Sequence, residues 1–253
     1  MAATVTEYCT AHSDDTSAEM KQLWDWTYEK FDNMNAGKNT ADKMSSPLQG
    51  ATNKFLAELL KPKRILEIGC FTGYSALAWY EGTTDTQAEI ITLELDEEMI
   101  QAAKRNLSHF GIGDRVKLVE GPAQATISTL TGHFDLIFVD ANKDGYQGYV
   151  KQILDLKLLS PGGVILCDNG KAQVIFVLHE IIMLMFYTAV FARGMTISTE
   201  ANPALPKELR PYWTECGKVL DRFNKFCKNE PRIDTIMLPV YDGLTLIKWK
   251  NNP

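Results

Sequence analysis

The order of strand and helix signals predicts an α/β protein built on a doubly wound, mostly parallel sheet with helices on both faces and an antiparallel C-terminal strand. Three observations carry this. Short apolar runs alternate with amphipathic stretches between residues 64 and 167, the rhythm of consecutive βαβ units. Arg64-Ile-Leu-Glu-Ile-Gly-Cys-Phe-Thr-Gly-Tyr-Ser75 reads as a buried strand, a glycine turn and a helix start. Asp234 to Trp249 reads as two strands with a turn at Asp242-Gly243.

Taken in order, residues 1–13 are expected to be loose. Asp14, Asp15 and Ser17 offer caps for a helix from Ala18 to Met34, with Met20, Leu23, Trp24, Tyr28 and Phe31 at helical spacing. A loop over 43–50 precedes a helix over Ala51–Leu60, which Pro62 stops. These N-terminal helices (1–60) belong to a single domain of 1–253. Strands are expected at Ile65–Ile68, Ile90–Leu93, Val116–Glu120, Phe134–Val139 and Gly163–Cys167. Helices are expected from Ser75, over Asp96–Phe110, Pro122–Leu130 and Gly145–Leu154, and over Tyr212–Lys228 with Trp213, Val219, Leu220, Phe223 and Phe226 in the core.

Bulk properties narrow the partners. A net charge of −6 with no basic stripe argues against nucleic acid. The five cysteines show no C-x-x-C pair, which fits incidental thiols in a reducing compartment. Met1 to Asp14 lacks the basic-then-apolar pattern of a signal peptide, so a cytoplasmic location is expected.

The glycine turn argues against a dinucleotide. A pyrophosphate site wants G-x-G-x-x-G, whereas the spacing here is Glu67-x-Gly69-x-x-x-Gly73. A carboxylate at the turn repels phosphate and suits a cationic or amine-bearing ligand. Glu94 closes the next apolar run, where it can accept hydrogen bonds from ribose hydroxyls. The combination resembles the S-adenosylmethionine site of class I methyltransferases, although a plain tight turn is the alternative.

A second informative stretch is Phe138-Val-Asp-Ala-Asn-Lys-Asp-Gly-Tyr146. Asp140 ends one apolar strand and Asp168-Asn169 ends the next, and ligands of open α/β sheets bind at such carboxyl ends. Two carboxylates and an amide are hard donors suited to Mg²⁺, Mn²⁺ or Ca²⁺. Lys143 can face the same place and serve as a base. The alternative is that the aspartates cap helices and Lys143 is a solvated surface residue.

Several motifs then occur in a fixed order: Glu67 to Ser75, Glu120-Gly-Pro-Ala123, Phe138 to Asp144, Asp168-Asn169 and Pro231 to Leu246. In that order the chain resembles the cation-dependent O-methyltransferases, of the caffeoyl-CoA O-methyltransferase type and more distantly catechol O-methyltransferase. The resemblance covers roughly residues 43–248. It implies a class I, Rossmann-like methyltransferase fold. It implies that Ser45, Glu67, Gly69, Cys70, Ser75, Glu94, Ala123 and Asp140 bind S-adenosylmethionine. It further implies that Asp140, Asp168 and Asn169 hold a divalent cation, Mg²⁺ first, and that Lys143 is the general base. The implied substrate is a small phenolic with vicinal hydroxyls, such as a caffeoyl derivative, either free or as a CoA thioester, and the implied assembly is a homodimer. Glu94 stands where the plant enzymes more usually carry aspartate.

One stretch interrupts the resemblance. Joining Asn169 directly to Val190 restores the family pattern, so residues 170–189 are surplus. A membrane anchor over 174–192 is disfavoured by His179 and Glu180 within it. A genuine helical insertion is a second reading. The favoured one is translated intron sequence, since Gly170-Lys171 can be encoded by GGT-AAG, which contains a common 5′ splice sequence. Two other functions stay open: a methyltransferase-like scaffold inactivated by the insertion, and a nicotinamide-dependent oxidoreductase.

Overall fold

The computed structural model describes residues 5–31, 39–168, 210–241 and 243–251. The chain divides into two compact units, 1–126 and 127–253. Asn169, the surplus 170–189 and the proline-punctuated stretch before residue 210 lie outside the described residues.

In the first unit the N-terminal segment expected to be loose contains a helix, α1 (Val5–Ala11). Local bonds compensate for its short length. The Thr10 hydroxyl donates to the Thr6 carbonyl and the Ser13 hydroxyl to that of Cys9, while the Tyr8 and His12 rings stack at 4.0 Å. Helix α2 (Ala18–Phe31) starts as expected, with Ser17 Oγ accepting from the Met20 N–H at 3.0 Å. The expected residues 32–34 of this helix lie outside the described set. Helix α3 (Pro47–Leu60) begins four residues before the expected start. Ser46 caps it and Pro47 supplies a preset φ in its first turn, a combination that the loop reading of 43–50 overlooked.

Three parallel strands follow the expected order: β1 (Arg64–Ile68), β2 (Glu89–Glu94) and β3 (Val116–Glu120). Strand β2 lies in the middle, with Ile68 opposite Leu93 and Glu94 opposite Glu120. Helix α4 (Tyr74–Gly82) follows β1, and α5 (Glu97–His109), capped by Asp96, follows β2. Past half-buried Arg64, the consecutive residues Ile65 to Ile68 are all buried, as in a strand covered on both faces. Helix α6 (Ala123–Ile127) is shorter than the expected 122–130.

The second unit carries β4 (Phe134–Val139), α7 (Tyr146–Asp155) and β5 (Leu159–Asp168). Strand β5 starts four residues before the expected Gly163. Ser160-Pro-Gly-Gly163 stays in the strand because the pairing with β4 shifts register between Phe134 and Leu136. Helix α8 (Arg210–Asn229) buries Val219, Leu220 and Phe223, while Phe226 is only half-buried. Strands β6 (Ile233–Leu238) and β7 (Leu244–Trp249) form the expected C-terminal pair. Strand β7 runs antiparallel to both β5 and β6, and the Trp249 indole N–H donates to the Leu159 carbonyl at 3.0 Å. Among the described residues, no helix is long and apolar enough to cross a membrane.

Candidate active site

The glycine turn is built by the ends of β1 and β2. Gly69 (φ 102°) and Gly73 (φ 93°) take left-handed backbone, which a side chain would strain, and Gly73 starts α4. The Gly69 and Cys70 N–H groups donate to the Leu93 carbonyl at 3.0 and 3.1 Å. Phe71 also has positive φ (52°), and its N–H donates to Glu94 Oε2 at 2.8 Å. Glu94 Oε1 accepts from the N–H groups of Leu95 and Asp96 at 2.8 and 2.9 Å. One carboxylate therefore ties two turns together.

Glu67 is fully buried, and its oxygens accept from Trp79 Nε1 at 3.0 Å and Thr92 Oγ1 at 2.6 Å. Its carboxylate is thus bonded to the core behind the turn, a different placement from the ligand-facing one that the spacing suggested. Cys70 is buried, and burial together with the nearby Glu67 pushes its thiol up, so it stays protonated. Ser75 lies in the first turn of α4, and Ser45 is buried just before the α3 cap. Ala123 opens α6, after Gly121 donates its N–H to the Glu94 carbonyl at 2.8 Å.

Sequence reasoning missed the residues that hold this turn from behind. Thr72 is fully buried. Its hydroxyl accepts from Thr27 Oγ1 at 3.0 Å, and its carbonyl accepts from Asn106 Nδ2 at 2.9 Å. The available signal was Asn106 itself, an amide within the buried stripe of α5 that contains Met99, Ala103 and Leu107.

In the second unit, β4 and β5 pair with Val139 opposite Cys167, so Asp140 and Asp168 follow at adjacent strand ends. Asp168 is 1% exposed. Lys143 sits in a short 3-10 turn, Lys143–Gly145, and is largely buried. Its Nζ lies 3.4 Å from Asp140 Oδ1, 2.6 Å from the Tyr146 hydroxyl and 3.1 Å from the Asp168 carbonyl oxygen. Lys143 is therefore not a solvated surface lysine. Asn142 Oδ1 accepts from the Tyr149 hydroxyl at 2.7 Å, closing the same turn. Gly145 is required beside it, because a Cβ there would stand 2.3 Å from the Tyr149 ring. Burial, with Asp140 and Asp168 nearby, keeps the Tyr146 hydroxyl protonated.

The donor chemistry of this edge fits a hard divalent cation, since Asp140 and Asp168 bring two carboxylates to adjacent strand ends. Among the described residues no group of three or more His, Cys, Asp or Glu side chains is placed to hold a metal ion. The expected set has only two such residues, its third member being the amide of Asn169.

The chain belongs to the O-methyltransferase family, whose sequence model matches residues 10–177. The O-methyltransferase ankF of Aspergillus thermomutatus is 35% identical over 251 residues, covering 99% of this chain and 94% of that protein. Caffeoyl-CoA O-methyltransferase 1 of Eucalyptus globulus is 31% identical over 205 residues, 79% of this chain and 72% of that protein. Among solved structures, SAH-bound PaMTH1, a methyltransferase of Podospora anserina, matches with a TM-score of 0.85 and 51% identity, covering 98% of this chain and 94% of that one. The Rossmann-like fold of class I methyltransferases is thereby shown, and methyl transfer to oxygen takes precedence over the hydride-transfer alternative.

Proposed function

We propose that the chain is an S-adenosylmethionine- and divalent-cation-dependent O-methyltransferase of small phenolics with vicinal hydroxyls, such as caffeoyl derivatives. The observation that carries this reading is the seating of Lys143 Nζ between the ends of β4 and β5, beside Asp140 and Asp168. Family membership and the SAH-bound neighbour support the cofactor assignment.

When bound, S-adenosylmethionine supplies an electrophilic methyl group and the divalent cation supplies Lewis acidity toward the substrate oxygens. Ser45, Glu67, Gly69, Cys70, Ser75, Glu94, Ala123 and Asp140 are assigned to the cofactor, Glu67 acting through the turn it anchors. Asp140, Asp168 and Asn169 are assigned to the cation. Lys143 Nζ takes the proton of the hydroxyl that is methylated, and Asp140 and the Asp168 carbonyl hold the amine in place to receive it. Fixing acceptor oxygen, methyl carbon and sulfur in line is the larger part of the rate gain. The reading extends to a cytoplasmic location and to a homodimer, of which light scattering tests the second.

The test is methyl transfer from S-adenosylmethionine to caffeic acid and to caffeoyl-CoA, with Mg²⁺ and with excess EDTA. Product that EDTA abolishes is expected. Product unchanged by EDTA rejects the cation, and no product on any catechol, from this chain or from one lacking residues 170–189, rejects the substrate class.

A further inference from the structure

We propose that Tyr146 is a positioning residue for the transfer, its hydroxyl clamping the Lys143 amine against the Asp168 main-chain carbonyl. The inference rests on the reading of Lys143 as the base.

Lys143 hangs on a flexible four-carbon stem, so something rigid must fix where its amine stands. Three acceptors surround its Nζ: Asp140 Oδ1 at 3.4 Å, the Asp168 carbonyl at 3.1 Å and the Tyr146 hydroxyl at 2.6 Å; as the base, the neutral amine donates to the two nearer ones and keeps its lone pair for the substrate hydroxyl. The Tyr146 contact is the shortest. The hydroxyl accepts from Lys143 and donates its own proton to the same Asp168 carbonyl, which closes a three-membered arrangement of amine, phenol and main chain. Nζ also lies 4.7 Å from the centroid of the Tyr146 ring.

Tyr146 cannot follow a wandering lysine. Its ring is fully buried at the start of α7, and Phe223 of α8 packs edge-on against it at 5.6 Å. Because one oxygen serves both the amine and the carbonyl at the end of β5, the phenol fixes Lys143 relative to the strand that ends in Asp168. Without the hydroxyl, the amine keeps one firm acceptor and one at 3.4 Å. A catalytic group displaced by about 1 Å can lose about a hundredfold in rate.

Tyr146→Phe keeps the ring and its packing and deletes only the clamp. The expected result is a kcat lower by about 10- to 100-fold, with KM for S-adenosylmethionine within about twofold of the parent. In a Lys143→Met background the same change should cost nothing further, because Tyr146 acts through Lys143. An unchanged kcat, or a second full loss in that background, overturns the proposal. A parent protein without turnover would count against the catalytic reading instead, and the clamp is then read without substrate. Limited acetylation with acetic anhydride, followed by peptide mass spectrometry, should show Lys143 modified several-fold faster in Tyr146→Phe, with exposed Lys151 as internal reference. An unchanged Lys143-to-Lys151 ratio overturns the clamp.

Discussion

Glu94 offers the sharpest test of how the glycine turn after β1 is held and of the proposal that it binds the cofactor. Its two oxygens accept three backbone N–H groups, from Phe71 at 2.8 Å, Leu95 at 2.8 Å and Asp96 at 2.9 Å. In Glu94→Ala those groups turn to water, because the site is half-exposed, so each bond costs about 0.5–1 kcal/mol rather than its full buried worth. Their sum, about 2 kcal/mol, corresponds to roughly a 30-fold weaker affinity for S-adenosylhomocysteine if the turns must be re-ordered on binding. A carboxylate that also accepts from the ribose adds about 1.5–3 kcal/mol, taking the loss well beyond a hundredfold. Glu94→Gln is nearly isosteric yet has a single acceptor oxygen, and its amide N–H would face either the Phe71 N–H or those of Leu95 and Asp96. It should therefore lose about 1–2 kcal/mol, not be silent. Isothermal titration of S-adenosylhomocysteine into the parent and both variants measures this. Glu94→Gln binding like the parent would refute the two-oxygen clamp.

Three further outcomes follow from the same geometry. Glu67→Leu removes the acceptor of the buried Trp79 N–H and Thr92 hydroxyl, and should cost about 2–5 kcal/mol in urea unfolding, with Glu67→Gln markedly milder. Gly145→Ala forces a Cβ onto the Tyr149 ring, so kcat should fall while affinity for S-adenosylhomocysteine holds. Hydrogen bonds from Lys117 and then Arg64 hold the Glu89 carboxyl below its ordinary range, so their contribution is complete above that range and is lost as pH falls through the lowered value. Glu89→Gln should accordingly lower Tm near neutrality and converge with the parent on the acid side, as thermal melts across pH will show.

Elements whose signals are periodic were legible in the sequence. Strand β3 and strand β4 fall on the expected residues, and Asp96 caps α5 as its position before Glu97-Glu98 suggests. The misses have local causes. Helix α1 rests on short-range side-chain bonds that no hydrophobic period reports, and α3 begins at a Ser-Pro cap inside a segment that composition alone marks as loop. Strand β5 keeps Pro161 only because its pairing with β4 is irregular there, which depends on the partner strand and not on the segment itself. In the site, the residue types were legible and their orientation was not. Spacing placed Glu67 beside the turn, but only the packing of Trp79 and Thr92 decides that its oxygens face inward.

That difference sorts the acidic residues at the strand ends by the work available to them. Glu67 is bonded to an indole and a hydroxyl, and Glu94 to three main-chain N–H groups, so both carboxylates spend acceptor capacity on neutral donors of the chain. Such carboxylates shape a binding turn, and their negative charge remains available to oppose phosphate and favour a cationic ligand. Asp140 is different, since Lys143 Nζ approaches it only to 3.4 Å, a distance at which attraction persists but the geometry is not committed. Asp168 adds a second, almost fully buried acid at the adjacent strand end, and its main-chain carbonyl receives both Lys143 and Tyr146. Half-buried Asp140 and almost fully buried Asp168 thus put two carboxylates at adjacent strand ends beside Lys143, a donor pair that a divalent cation would bridge favourably. Stability should therefore respond to the ion: adding Mg²⁺ to metal-stripped protein should raise Tm, and Asp168→Asn should shrink that rise. An Mg²⁺-independent Tm at millimolar ion would count against cation binding at this edge.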